Sequence, residues 1–256
     1  MLHLIERDEN GVAHVGGMSG GHDSSIMSVL LTEREPRPYN WLCTPTGDEL
    51  PEMFAHWRQM GERLGRRILP VMAKSLRQVI AEEGTLPNFR MRFCTRIIKI
   101  EPYRRLLVDL AQRGPVVSYV GLRADEPGRA GGAYSDIPGV SMRFPLREWG
   151  MGEDEVQAEL AAREIRCPVR TDCARCYHQR IGEWFMLWLE NRDLFLDAEA
   201  DEARTGYTFR TPGRDKWPVA LCDLRAEFER GNIPTTSLNR MAREQMRAGT
   251  CRVCSL

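Results

Sequence analysis

The sequence predicts an α/β protein: a doubly wound, mainly parallel sheet followed by a C-terminal α-helical portion that carries cysteines. Three observations carry this. From residue 12 to residue 146, short apolar runs of strand length alternate with helix-like segments, the pattern of right-handed β-α-β units. The first of these runs leads through a glycine-rich turn directly into a helix start. After Cys176 the strand-like runs cease, and four helix-like segments follow one another.

Taken in order, residues 12–18 predict the first strand and 24–32 its helix. Residues 39–43 form a short apolar strand that ends at the turn Pro45-Thr46-Gly47-Asp48-Glu49. Residues 51–64 predict a helix with Met53, Phe54, Trp57, Met60 and Leu64 near one face, and Pro51 suits its first turn. A third strand is expected over 67–72, a short helix over 75–82, and a longer helix over 95–112, bent at Pro102. The continuous apolar run 116–121 suits a central parallel strand. A glycine-rich loop spans 128–139, a last strand 140–146 and a helix 153–163. Helices are expected over 178–191, 194–203, 219–230 and 235–248, with a polar loop over 205–218. The division expected is 1–164 for the sheet-bearing part and 165–256 for the helical part. Ligands of doubly wound sheets sit beyond the carboxyl ends of strands. The glycine turn, residues 45–49 and residues 121–129 all follow strands, so they are expected to line one crevice.

Composition narrows the class. The 256 residues contain 36 Lys+Arg and 36 Asp+Glu, so global charge makes no case for nucleic acid or an acidic membrane surface. No run approaches the roughly 18 apolar residues of a membrane span. The amino-terminal stretch is too polar for a signal peptide, and a cytoplasmic protein with no membrane partner is expected. Eight cysteines in such a chain point to metal, cluster or redox work before structural disulfides.

Six groups of residues can carry chemistry. Ser19-Gly20-Gly21-His22-Asp23-Ser24, followed by Ser25, places glycines, hydroxyls and a helix start together, which suits an anion cradle. It is not a Walker A loop, which requires G-x-x-x-x-G-K-[ST]. Thr46, Gly47, Asp48 and Glu49 follow a strand; their carboxylates suit Mg2+ or a ribose, or form a solvated acidic turn. Arg123 and Arg129, in Gly121-Leu122-Arg123-Ala124-Asp125-Glu126-Pro127-Gly128-Arg129, offer guanidinium forks for phosphate or sulfate, or the salt bridges of a surface loop. Arg90, Arg92, Arg96, Lys99, Arg104 and Arg105 make a basic stretch that suits a nucleotide or RNA, or simply a solvated helix face. Cys167, Cys173 and Cys176, with Cys94 as a remote fourth, suit tetrahedral Zn2+ or a [4Fe-4S] cluster, or are buried thiols. Near the carboxyl terminus, Cys251 and Cys254 could be a redox pair, a sulfur relay, a zinc half-site or an inert tail. Cys43 and Cys222 lie in apolar runs and are expected in the core.

In order along the chain stand SGGHDSS, PTGDELPEMF, FCTRIIKIEPYRRLL, GLRADEPGR, FPLREW and CARC. Together they resemble the phosphoadenosine phosphosulfate (PAPS) reductase-like family of the PP-loop ATP pyrophosphatases, over roughly residues 12–200. The resemblance implies an adenine nucleotide α-hydrolase fold. It places the nucleotide's phosphates on residues 19–24, the adenine against the second strand, and Arg123 and Arg129 near the anionic end. The relatives include sulfonucleotide reductases, tRNA thiolation enzymes and DNA phosphorothioation sulfurtransferases. Several hold a four-cysteine [4Fe-4S] cluster, which favours the cluster over zinc here.

The departures from that pattern also matter. His22 stands where many ATP-using relatives have Lys. Cys94 is followed by Thr95, so the paired cysteines of the adenosine phosphosulfate (APS) reductases are missing and Cys167 would have to substitute. The chain ends Gly249-Thr250-Cys251-Arg252-Val253-Cys254-Ser255-Leu256 instead of carrying a Glu-Cys-Gly-Leu-His tail. The resemblance implies first an ATP pyrophosphatase that uses Mg2+, Asp23, Ser24 and Arg123 to adenylate an acceptor (tRNA, DNA or a small molecule), with sulfur transfer from a donor protein as an extension. The alternatives are a PAPS or APS reductase using Cys251 or Cys254 with a thiol reductant protein, or a non-catalytic nucleotide-binding partner.

Overall fold

The computed structural model describes residues 2–129 and 134–245. Among these residues, β1 (Ala13–Gly17), β2 (Tyr39–Cys43), β3 (Leu69–Pro70), β4 (Val116–Tyr119) and β5 (Val140–Arg143) form one sheet in the order β3-β2-β1-β4-β5. Every neighbouring pair is parallel. The chain winds outward from β1 in one direction, then returns to add β4 and β5 on the other side. The strand order therefore reverses between β1 and β4, where a ligand crevice opens in such sheets.

Both faces are covered, as a parallel sheet requires. On one face α1 (His22–Arg34) and α6 (Glu153–Ala162) pack Met27, Leu30, Leu31, Val156 and Leu160 around Tyr39 and Trp41. On the other, α4 (Glu101–Ala111) sets Leu106, Leu107 and Leu110 against Val15, Leu42 and Val116. α2 (Pro51–Arg63) and α3 (Leu76–Glu83) connect β2 and β3 to the rest; α3 opens on a capping box between Ser75 and Gln78. α5 (Pro145–Glu148) is a single turn after β5.

Beyond residue 164 the regular elements among the described residues are all helices: α7 (Ile181–Glu190), α8 (Arg192–Thr205), α9 (Leu221–Glu229) and α10 (Thr235–Gln245). Trp184, Phe195, Leu221, Leu224 and Phe228 form its core together with Leu76, Val79 and Ile80 of α3. The helical portion thus completes a hydrophobic layer that α3 begins.

Several expectations need correction. The strand over 67–72 contracts to Leu69–Pro70, because Pro70 cannot donate to a ladder and is tolerated at a sheet edge. The strand over 140–146 stops at Arg143, and Pro145 starts α5 instead. The helix over 95–112 is two pieces. Thr95–Ile100 is π-helical and α4 follows, with Pro102 in its first turn; lacking an N–H, Pro102 interrupts the bonding ladder, and the widened turn lies ahead of it. Cys222 is exposed, since the buried face of α9 is Leu221, Leu224 and Phe228. No helix among the described residues is long and apolar enough to cross a membrane.

Candidate functional site

The glycine turn closes β1 onto α1. Gly20 takes φ +87°, the left-handed region that favours glycine, and a Cβ there would lie 2.5 Å from Met53 Cε of α2. Gly21 caps α1 without a side chain, and the first helical bond runs from Ser25 N–H to the Gly21 carbonyl at 3.0 Å. The N–H groups of His22, Asp23 and Ser24 precede that bond, so the helix itself makes no use of them. Ser24 Oγ lies 3.0 Å from Ser19 Oγ and donates to the Gly21 carbonyl at 3.1 Å, which ties the two ends of the turn together.

Two histidines flank this cradle. Ser25 Oγ is 2.9 Å from His56 Nε2, and His22 Nδ1 is 2.6 Å from Gln157 Nε2 of α6. Burial, assisted by the nearby His56 and Arg123, pushes His22 down to about 4. At neutral pH it therefore offers a phosphate a dipole and no charge.

The loop after β4 supplies the other wall. A Cβ on Gly121 would lie 3.0 Å from the Asp23 carbonyl carbon and 3.1 Å from Ser24 N, so this loop touches the first turn of α1. Arg123 follows. Its guanidinium lies 2.9 Å from Asp125, 3.4 Å from Asp23, 3.6 Å from Glu126 and 3.7 Å from Glu153. Burial pushes the Asp23 carboxyl up to about 6, with Glu126 adding to it and Arg123 opposing. Arg129 bonds Glu126 at 2.6 Å.

Arg147 of the FPLREW stretch holds the loop from behind. It donates to the carbonyls of Arg123, Glu126 and Arg129 at 3.2, 2.5 and 2.6 Å. Sequence reasoning quoted this stretch without giving the arginine a role. Gly121 opens the 121–129 stretch expected to line the crevice but was given no role of its own, although a glycine directly after a buried parallel strand was the available signal.

The turn after β2 is closed on itself. Glu49 accepts from Thr46 N–H at 2.5 Å, Thr46 Oγ1 at 2.7 Å and Gly47 N–H at 3.0 Å. Asp48 points the other way. It is 4% exposed and pairs with Arg175 at 2.6 Å, while its carbonyl accepts the Ala174 N–H at 2.7 Å. Arg175 also pairs with Asp201 of α8 at 2.6 Å. The open Mg2+ or ribose site expected at Asp48 and Glu49 is thus taken up by internal partners: these residues shape the turn and fasten it to the cysteine segment.

The cysteines divide. Cys94 and Cys173 border the helical core, and Cys173 shares a hydrogen bond with buried Cys176, which lowers the Cys173 thiol and raises that of Cys176. Cys167 belongs elsewhere. It packs against the core around α1 and hydrogen-bonds Ser25, and burial pushes its thiol up to about 11. The four expected ligands therefore do not converge, and the four-thiolate set for [4Fe-4S] or Zn2+ does not fit this arrangement. Among the described residues no group of three or more His, Cys, Asp or Glu is placed to hold a metal ion. Cys251 and Cys254 lie outside the described residues. Of the basic stretch, Arg96 pairs with Glu101 and Arg104 with Asp136, at 2.6 Å each, as a solvated face does.

His22 and Cys167 open onto a cleft of about 1790 Å³ that extends along α7, the loop before α9, and α10. The crystal structure of phosphoadenylyl-sulfate (PAPS) reductase from Candida auris, in its phosphate complex, is similar to this chain with a TM-score of 0.47 and 14% identity, over 60% of this chain and 74% of that one. No curated protein matches the sequence. The family model of the phosphoadenosine phosphosulfate reductase domain matches residues 13–151, from β1 through the turn after α5. With more than half its length so matched, the chain belongs to the phosphoadenosine phosphosulfate reductase domain family.

Proposed function

We propose that the chain binds ATP with Mg2+ on the glycine turn and activates an acceptor by adenylation. The observation that supports this best is the setting of Arg123, whose guanidinium faces four carboxylates beside the free N–H groups of α1. A sulfate ligand needs guanidinium forks that are not already occupied. A polyphosphate that arrives with a divalent cation suits carboxylates at the mouth. Mg2+ is commonly held by one or two carboxylates plus substrate phosphates, without an all-protein cage. Asp23 fits that part, because burial leaves its charge incompletely compensated. When bound, Mg2+ would neutralise the polyphosphate charge.

The acceptor oxygen attacks the α-phosphorus and forms the new P–O bond. The bond to the α,β-bridging oxygen breaks, and pyrophosphate leaves with the electron pair. The N–H groups of residues 22–24 and the Ser24 hydroxyl stabilise the charge that develops. Arg147 keeps the Arg123 loop in register with the turn.

The second reading, favoured by the family, is a sulfonucleotide reductase. A tail thiolate from Cys251 or Cys254 would attack the sulfur of PAPS or APS, forming a thiosulfonate as the adenosine phosphate leaves. Calorimetric titration of anaerobically purified protein with Mg-ATP, PAPS and APS separates the two. Tight, Mg2+-dependent ATP binding is expected, weakened about tenfold or more by Asp23→Asn or Ser24→Ala. The affinity is expected to fall from about pH 7.5 to about pH 5, as Asp23 takes up a proton, and to lose that dependence in Asp23→Asn. A preference for PAPS or APS would overturn the ATP reading in favour of the reductase.

A further inference from the structure

The stretch Cys173-Ala174-Arg175-Cys176 lacks the partners that a four-thiolate centre requires. Cys167 hydrogen-bonds Ser25 in the core around α1, whereas Cys173 borders the core built on α3 and α7. What remains is a pair of free thiols three positions apart.

The backbone holds this pair ready to close. Ala174 and Arg175 are the central residues of a turn, so the two cysteines stand at its ends. Cα atoms at the ends of such a turn lie within about 7 Å of each other. A disulfide spans Cα atoms roughly 4.4–6.8 Å apart, so the pair can be bridged without a large backbone movement. Both central residues are anchored to the turn after β2: the Ala174 N–H donates to the Asp48 carbonyl at 2.7 Å, and the Arg175 N–H to the Asp48 carboxylate at 3.2 Å. On either side, Arg170 donates to the Cys173 carbonyl at 3.2 Å and the Gln179 N–H to the Cys176 carbonyl at 3.0 Å. A backbone fixed in this way leaves little further entropy to lose when the sulfurs join.

The two thiols are not equivalent. Cys176 is 5% exposed and Cys173 is half-buried. The hydrogen bond between them lowers the Cys173 thiol, and Lys99 acts in the same direction, while burial, Asp172 and Asp48 oppose. The same hydrogen bond, together with burial, raises Cys176. Cys94 stands nearby, but burial, and then the Cys173 charge, raise its thiol and make it the poorer nucleophile. A lowered, more accessible thiol beside a raised, buried one is the arrangement of an attacking and a resolving cysteine.

We propose that Cys173 and Cys176 form a redox-active dithiol that exchanges with a small disulfide of the glutathione class, Cys173 attacking and Cys176 resolving. The Cys173 thiolate attacks one sulfur of the incoming disulfide; that S–S bond breaks, and one thiol leaves with the electron pair. Cys176 then gives up its proton and attacks the Cys173 sulfur. The Cys173–Cys176 bond forms and the second thiol leaves. The pair is oxidised by two electrons, the incoming disulfide is reduced by two, and the two protons of the pair end on the thiols released. This chemistry is independent of both nucleotide readings.

The test equilibrates the full chain, purified anaerobically, with mixtures of reduced and oxidised glutathione, followed by alkylation and tryptic digestion. Trypsin cuts after Arg170, Arg175 and Arg180, so residues 171–175 and 176–180 are separate peptides when the pair is reduced and one linked species when it is oxidised. The linked species is expected to rise with oxidised glutathione in a single two-electron transition and to vanish on return to reduced glutathione. Cys176→Ser is expected to stop the reaction halfway, with one glutathionyl group held on peptide 171–175. Cys173→Ser should leave peptide 176–180 reacting at least about tenfold more slowly. Cys94→Ser, which keeps both members of the pair, should leave the transition in place. The wild-type peptide map decides the pairing even where a variant fails to fold. Linkage of Cys173 to the peptide bearing Cys94, or no linkage of 171–175 to 176–180 at any glutathione ratio, overturns the proposal. So does iron or zinc that the wild type retains and Cys173→Ser loses.

Discussion

Replacing Arg175 with Met is expected to destabilise the protein by about 3–5 kcal/mol, a large share of the roughly 5–15 kcal/mol that holds such domains folded. Arg175 is 2% exposed and bridges two buried carboxylates, Asp48 after β2 and Asp201 on α8. Removing the guanidinium leaves both carboxylates away from water; Asp201 keeps Arg204 at 2.6 Å, whereas Asp48 keeps only the main-chain N–H of residue 175 at 3.2 Å. Urea denaturation reads the loss. Asp48→Asn should cost less, since Arg175 retains Asp201, and the double variant should cost less than the sum of the two singles. A loss in Arg175→Met below about 1 kcal/mol, the scale of an exposed pair, would show that the bridge does not hold the cysteine segment to the sheet.

Gly121→Ala is expected to weaken nucleotide binding about 10- to 100-fold while leaving the fold intact. The new methyl would lie 3.0–3.1 Å from main-chain atoms of Asp23 and Ser24, and backbone gives way less readily than the end of a side chain. The first turn of α1 must then shift by a few tenths of an ångström, and its N–H groups lose their aim at the phosphates. Gly20→Ala should act in the same direction through its φ of +87°, but its steric neighbour, Met53 Cε, is the end of a flexible chain and can move. Equal affinities for Gly121→Ala and wild type, with matching denaturation midpoints, would show that the contact between the two loops does not aim the phosphate donors.

Much of this architecture was legible residue by residue. The run 39–43 reads as a strand because four apolar or aromatic residues flank Asn40 between turn signals, and β2 spans those residues. Residues 19–24 read as a glycine turn at a helix start because local chemistry alone gives the turn its shape. The ends were harder. Pro70 and Pro145 cut strands that the apolar pattern extends, and Pro102 follows a π-turn that no periodicity announces.

The sequence by itself determined the alternation of strand and helix, the glycine turn at the first strand's end and the switch to helices after Cys176, since each depends on residues within a few positions of one another. Only the tertiary structure decided which charges meet. Asp48 reads as a metal or ribose ligand in a strand-end turn, yet its partner is Arg175, 127 positions along the chain. Arg123 reads as a fork for phosphate or sulfate or as a salt-bridged loop residue, and its contact with Asp23, 100 positions away, is visible only in the fold. Cys167 reads as a neighbour of Cys173 and Cys176, yet it bonds Ser25. Such pairings are fixed by how the helical portion packs onto α3 and the sheet. Packing depends on the shape and burial of whole surfaces, and local spacing carries no record of it.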